Sequence, residues 1–302
     1  MSDGLGVVAA VAGIGVVKST PLIYAALGGV VSENAGVVNI GLEGMMAGGA
    51  FAAVLVSYYT SNLFFAVVAA ALAGGLLATV LGYFAIKLRA DQIVVGMAIN
   101  VFTIGAAALL LSAVFGQPGA SPEVRSFASI RGNGLPPAVQ LIAHNLLVWI
   151  ALALVLCVHV LLYRTRIGLH VRAVGEQPRA AAVAGIDVIK IRFAATVIGG
   201  VLAGLGGAYL SIGEVDLYSD GMVAGRGFIA LAAVIFGKWT PLGALGACVF
   251  FGLFSSLQIA LQRASVPAQL LEMLPYVLTI VALAGFIGRS RPPAADGIPY
   301  QP

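Results

Sequence analysis

The chain has 302 residues, of which 60% belong to the set AVILMFWYC and 9% are charged, with a mean hydropathy of +1.03. Soluble domains carry about 25% charged residues, so a soluble enzyme, a disordered tail and a nucleic-acid-binding module are excluded, and an integral membrane protein is indicated. The formal net charge of +4 is small and points to no polyanionic partner.

A bilayer-spanning helix needs about 20 apolar residues, so this length holds at most about ten crossings. Met1-Ser2-Asp3 lacks the basic flank of a cleavable signal peptide. The first apolar run covers about 5–31, interrupted by Lys18 and Pro21, and a glycine-rich second run covers about 37–59. The third and fourth occupy 63–88 and 93–115, before a polar stretch rich in Pro, Gly and Ser at 116–143. A fifth run at 145–163 leads into the most charged segment, 164–192, and a sixth covers 193–212. After an acidic connection with Glu214, Asp216 and Asp220, the run at 228–236 is too short to span alone. Runs at 242–261 and about 270–287 complete the series. No basic amphipathic helix is evident. Cys157 and Cys248 fall inside apolar runs and read as small buried residues, not as a disulfide or a thiolate metal site.

This order predicts an all-α, polytopic membrane bundle of about 8–10 helices, a single domain over 1–302 with broken or re-entrant segments. A glycine-rich irregular segment at 36–49 precedes two spans, and another at 213–243 precedes two more. Paired interrupted segments point to an internal repeat around a central path; equally, glycines serve simply to let helices pack closely.

Lys and Arg accumulate in cytoplasmic loops. Placing 164–192 inside and alternating outward puts Lys87, Arg89, Arg164, Arg166, Arg172, Arg179, Lys190, Arg192, Lys238, Arg289 and Arg291 on the cytoplasmic side. Only Arg125, Arg131, Arg226 and Arg263 fall outside. The C-terminus is then cytoplasmic and the 116–143 loop external. One unbroken helix over 5–31 puts the N-terminus outside; a break at Lys18–Pro21 puts it inside.

The catalytic inventory is thin. No G-x-x-x-x-G-K-[ST] phosphate loop is present, so the chain does not hydrolyse ATP by that route. His144, His159 and His170 form no metal-ligand spacing, and His159 reads as a packed residue within a span. Ion-coupled carriers place ionisable groups deep in their helices; here only Glu43 and Glu272 qualify, and neither has an evident basic partner. Energy from another subunit fits better than an ion gradient.

The segment Glu176-Gln177-Pro178-Arg179-Ala180-Ala181, ending at Gly185, is the most informative local signal. Proline suits the first helical position and glycine the left-handed residue past the end, so a two-turn helix is expected within the charged loop. It reads either as a solvated loop whose charges set topology or as a rigid exposed lever on which a partner pushes.

The string Arg179-Ala-Ala-Ala-Val-Ala-Gly185 is similar to the E-A-A-x-x-x-G loop of bacterial ABC importer permeases, with Arg in place of Glu. More selective are two long strings, from Thr20-Pro21-Leu22 through Ser32-Glu33-Asn34-Ala35-Gly36 and Asn39-Ile40-Gly41-Leu42-Glu43-Gly44-Met45-Met46, and from Gly225-Arg226-Gly227-Phe228 to Pro241-Leu242-Gly243. They resemble the simple-sugar and nucleoside branch of these permeases, the family that includes ribose and branched-chain amino-acid permeases. The likeness runs from about residue 20 to 288. It implies an extracytoplasmic binding lipoprotein that delivers solute, a second permease subunit in a heteromeric pair, and ATPase subunits that bind ATP, with no cofactor on this chain. The Glu-to-Arg change puts a family-wide contact by that carboxylate in doubt. Residues 176–185 would be the coupling helix, and the location is the bacterial inner membrane.

Residue chemistry then gives a candidate path. Asn39 and Glu43 share a face if 39–46 is helical, Asn100 is polar in mid-span, and Phe228 and Trp239 offer rings for stacking. Neutral amides with aromatics suit a small neutral solute such as a nucleoside. Equally, Asn39 serves as a helix cap and Asn100 as a tie to a neighbouring helix. The expectation is a permease of an ATP-driven importer that catalyses no covalent chemistry. A branched-chain amino-acid permease and an ion-coupled carrier are the rivals.

Overall fold

The computed structural model describes residues 2–127, 145–261 and 291–301. Short polar side chains start five of the helices by accepting hydrogen bonds from first-turn amides. Asn62 accepts from Phe64 and Phe65, Asp91 from Ile93 and Val94, Asn145 from Leu147, Thr165 from Gly168, and Asp187 from Lys190. The elements are α1 (Ser2–Asn34), α2 (Leu42–Thr60), α3 (Leu63–Gly82, continued by a π-helical turn Tyr83–Lys87) and α4 (Gln92–Phe115). They continue as α5 (Leu146–Arg164), α6 (Arg166–Glu176), α7 (Pro178–Val183), α8 (Val188–Ala208, continued by a π-helical turn Tyr209–Glu214), α9 (Arg226–Phe236) and α10 (Pro241–Leu261). Among the described residues seven helices are long and apolar enough to cross a membrane, and no strand is present. The run at 270–287, with Glu272, lies outside the described residues.

The centre of the bundle is α8, and its glycines set how closely the neighbours approach. A methyl on Gly207 would lie 1.9 Å from the Met46 carbonyl oxygen of α2, and one on Gly74 of α3 would lie 2.2 Å from that of Gly200. On α1, a methyl on Gly28 would lie 2.3 Å from the Gly199 carbonyl. Backbones meet directly at these crossings, as small residues in membrane helices allow. The outer faces of α3 and α4 leave Phe64, Leu72, Leu76, Val101, Phe102 and Leu109 exposed, as lipid-facing helices do.

Of the two courses left open for the first run, α1 takes the unbroken one, through Lys18 and Pro21. Within it Lys18 pairs with Glu214, and the Ser19 and Thr20 hydroxyls bond back to the Val16 carbonyl at 2.9 and 2.8 Å. An amphipathic helix, α6, does exist within 164–192, burying Gly168, Val171, Val174 and Gly175 and carrying Arg166 and Arg172. Its eleven residues were too short, and too close to Pro178, to stand out from the surrounding charge. Cys248 is buried, but Cys157 faces outward from α5.

The two ends of the bundle differ. At one, residues 118–127 zip onto the chain that follows α8: Ser121 N–H to Tyr218 O at 2.8 Å, Val124 N–H to Asp216 O at 2.7 Å and Phe127 N–H to Ile212 O at 2.7 Å. The other end gathers α6, α7, the end of α1 and the tail 291–301; there the Ala295 N–H donates to Gly175 O at 2.9 Å. Among the described residues Lys87, Arg89, Arg164, Arg166, Arg172, Arg179, Lys190 and Arg192 belong to helix ends and turns on this second end.

Candidate translocation path and coupling loop

After α1 the chain turns at Gly36 (φ +84°) and crosses an irregular stretch before α2 begins at Leu42. α2 starts without a side-chain cap of its own, its cap position being Gly41. The first-turn Gly44 N–H instead donates to Asn100 Oδ1 of α4 at 2.7 Å, while Asn100 Nδ2 donates to the Ile40 carbonyl at 2.9 Å. One amide therefore satisfies both sides of the break. Gly44 is required here, since a methyl on it would lie 2.9 Å from the Asn100 Cα.

Glu43 faces the second interrupted segment. Its two carboxylate oxygens accept from the Gly225 N–H at 2.8 Å and the Gly227 N–H at 2.7 Å, the first amides of α9. A carboxylate at a helix N-terminus meets both orphan amides and the positive end of the dipole. Arg226 adds a favourable charge, with its guanidinium donating to the Met222 and Val223 carbonyls. α9 has eleven residues, about 16 Å of helix, roughly half of the ~30 Å hydrocarbon core. Its far end returns to α1: Trp239 Nε1 donates to Glu33 Oε2 at 2.5 Å, and Asn34 Nδ2 donates to the Trp239 carbonyl at 2.9 Å. α9 is thus a half-span held at both ends by the segments flanking the α1–α2 break.

The structure gathers Asn39, Glu43 and Asn100 around that break and leaves Phe228 apart, 42% exposed on the outside of α9. Asn39 lies before α2, outside any helix, so it neither shares a helical face with Glu43 nor caps the helix. It is fully buried; its Nδ2 lies 3.6 Å from Met45 Sδ, and its Oδ1 has no partner among the described residues. Trp239 is buried with its ring nitrogen committed to Glu33, so its ring is a packing element. Glu33, Gly225 and Gly227 belong to the same network and were not picked out from the sequence. The signal was present: an acid at the end of one interrupted segment and a Gly-Arg-Gly at the other.

In the charged loop, Pro178 occupies the first turn of α7 and Gly185 takes φ +82° after it. The Ile186 N–H to Ala181 O bond (3.0 Å) and the Gly185 N–H to Ala182 O bond (2.9 Å) close the helix end. Glu176 ends the preceding helix α6, so the expected single helix over 176–185 is in fact a helix–turn–helix with Gln177 between. Ala181 packs on Val174 and Val188, whereas Glu176, Gln177, Arg179 and Ala180 are exposed and Val183 is 91% exposed. A groove of about 520 Å³ runs between residues 176–180 and the tail residues Ile298–Gln301. Asp187, capping α8, has its carboxyl held below the usual range by the Lys190 backbone amide and side chain.

The family described as "Branched-chain amino acid transport system / permease component" matches residues 9–283. The chain is 42% identical to the guanosine ABC transporter permease protein NupQ of Bacillus subtilis (strain 168) over 94% of each chain. The second guanosine permease of that organism, NupP, is 25% identical over 88% of this chain and 79% of its own. The nucleoside ABC transporter permease protein NupC of Lactococcus lactis subsp. cremoris (strain MG1363) is 36% identical, again over 94% of each chain. Among solved structures, an inward-facing metal-chelate type ABC transporter superposes with a TM-score of 0.52 at 18% identity, covering 90% of this chain and 85% of its own; it supports the fold. Transport by such proteins uses ATP bound by a partner ATPase, and the chain is a membrane transport component rather than an enzyme. It belongs to the ABC transporter permeases of the branched-chain amino acid transport system family.

Proposed function

We propose that this chain is one of two different permease subunits in a nucleoside importer. It is supported above all by the 42% identity to a guanosine permease over 94% of both chains. Two different permeases of one organism, NupQ and NupP, both align with this chain, at 42% and 25% identity. That pattern favours a heteromeric pair in which this chain takes the NupQ-like place. A solute-binding lipoprotein delivers the nucleoside from outside, and the bacterial inner membrane is the location.

The end bearing α6, α7 and the tail faces the cytoplasm, a reading supported by its clustered Arg and Lys. The exposed residues Glu176, Gln177, Arg179 and Ala180, with Pro178, Ala181 and Gly185 shaping α7, receive the ATPase. Asn39, Glu43 and Asn100 line the path where α2 and α9 begin, and Phe228 meets the solute from the open face of α9 where the second permease completes it. Asn39 Oδ1 is the free acceptor for a base amine or ribose hydroxyl. Glu43 and Asn100 hold the walls.

The test is reconstitution of the chain with its ATPase, the second permease and the binding protein in vesicles. ATP-dependent uptake of labelled guanosine, competed by other nucleosides and untouched by leucine, is expected. Competition by leucine would turn the assignment to a branched-chain amino acid. Uptake by this chain alone on an ion gradient would overturn it. Cysteines placed at positions 130 and 180 are expected to label from opposite sides.

A further inference from the structure

The last described residues, 291–301, are not a free tail. Ala294 N–H donates to Glu176 Oε2 at 3.3 Å and Ala295 N–H to Gly175 O at 2.9 Å, tying the tail to the end of α6. Arg192, at the foot of α8, is 2% exposed and donates to the Ile298 carbonyl at 2.8 Å and the Ala295 carbonyl at 3.3 Å. Tyr300 packs on the Val174–Ala181–Val188 cluster beneath α7. On its other side the tail reaches the α1–α2 break: a methyl on Gly36 would lie 2.6 Å from Arg192 Nη2 and 3.0 Å from Ala295 O, and one on Gly297 would lie 3.4 Å from the Val38 side chain. Asp296 is charge-coupled both to Arg192 and to Glu33 of α1.

A buried guanidinium is costly unless its donors find partners, and here the tail carbonyls take Nη1 and Nη2. The tail thereby bridges α7, which stands exposed, and the break after α1, from which Glu33 and Asn34 hold the half-span α9; it runs beside the direct contact of α6 with that break, where a methyl on Gly175 would lie 2.1 Å from the Asn34 carbonyl oxygen. We propose that residues 294–301 are a positioning strap that passes displacement of α7 to the α1–α2 break, through Arg192 and the Gly36 turn. The strap rests on the reading of α7 as the ATPase contact, and it adds a second leg to that lever. The tail forms the far wall of the groove beside α7, so a partner that enters the groove presses on both legs at once.

The experiment is hydrogen–deuterium exchange on the whole transporter in vesicles, without nucleotide and trapped with ATP and vanadate. No solute is added, so the nucleoside assignment does not enter the result. In the full chain, ATP is expected to change exchange both at 177–186 and at 33–42. With the chain ended after Pro293, the change at 177–186 is expected to persist and that at 33–42 to be lost. Arg192→Lys, which keeps the charge but loses the two-carbonyl grip, is expected to reduce the response at 33–42 in the same direction while the tail stays present. A response at 33–42 that survives in both variants overturns the strap. Loss of response at both segments, or failure of the shortened chain to assemble with the ATPase when Arg192→Lys responds normally, also overturns it and makes the tail a docking element. An ATP response missing at 177–186 in the full chain defeats the reading of α7 itself.

Discussion

Glu43 caps a helix to which it does not belong: its carboxylate accepts from the Gly225 and Gly227 amides at 2.8 and 2.7 Å, 182 and 184 residues further along the chain. Without it those amides are orphaned at about 1–3 kcal/mol each. Thermal unfolding of the purified subunit in detergent is expected to rank Glu43 above Glu43→Gln above Glu43→Ala, because glutamine keeps one acceptor and sets its amide against the other donor. Equal melting temperatures for all three would show that water replaces the cap.

Asn100 carries a similar load across the other break. Asn100→Leu leaves the Gly44 N–H and the Ile40 carbonyl without partners in a buried place, again at about 1–3 kcal/mol per group. Both assembly and uptake are expected to fall. Asn100→Asp, which retains the acceptor for Gly44, is expected to recover part of the assembly, measured as subunit co-purifying with its ATPase.

Glu176 and Arg179 stand exposed on either side of Pro178. Replacing both with alanine is expected to leave the permease in the membrane and the ATPase hydrolysing, while uptake per ATP falls about tenfold, within the 5–150-fold span of ordinary coupling free energies. Unchanged uptake per ATP would remove these side chains from the lever.

Asp296 gives the tail a pH dependence. Burial pushes its carboxyl up to about 7, against the opposing pull of the Arg192 guanidinium and the Gly297 amide. Since the folded-state value lies above the ordinary one, the docked tail binds a proton that the released chain does not. Docking is therefore firmest below about pH 4 as far as this group is concerned, and weakens as the pH rises through about 7. Proteolytic cleavage of the tail is expected to speed up between about pH 4 and pH 7 and to level off above that. Asp296→Asn is expected to abolish that rise.

Gly207→Ala is the expected folding failure. Its methyl would sit 1.9 Å from the Met46 carbonyl and 2.7 Å from the Ala50 nitrogen, both backbone atoms. Overpacking a tight contact costs about 1–3 kcal/mol or more, so little subunit should reach the membrane. Gly105→Ala, where no atom lies within 4 Å, is the control.

Much of this architecture was legible because spans and caps are local. Asp91, Asn145 and Asp187 start helices next to apolar runs, and Pro178 with Gly185 brackets α7 as their backbone preferences require. The candidate site was legible only as residue types. Glu43 and Asn100 stood out as polar groups in apolar runs, but their partners are backbone amides and a carbonyl on distant segments, and those carry no side-chain signature. Asn39 fits neither the shared helical face nor the cap, because the break extends to Gly41, where Asn100 ties the Ile40 carbonyl. α6 was missed because eleven residues give barely three turns in which to show a face.

The glycine crossings of α8 bear on which parts of the bundle move together. Carbonyl oxygens of one helix rest where another lacks a side chain, so any sliding along the axis drives oxygen into carbon within an ångström. The slab made by α1, α2, α3 and α8 is therefore a keel that tilts as one piece. The half-length rod α9, tied to Glu43 at its first turn and through Trp239 to Glu33 and Asn34 beyond its last, follows whatever displaces the two banks of the α1–α2 break.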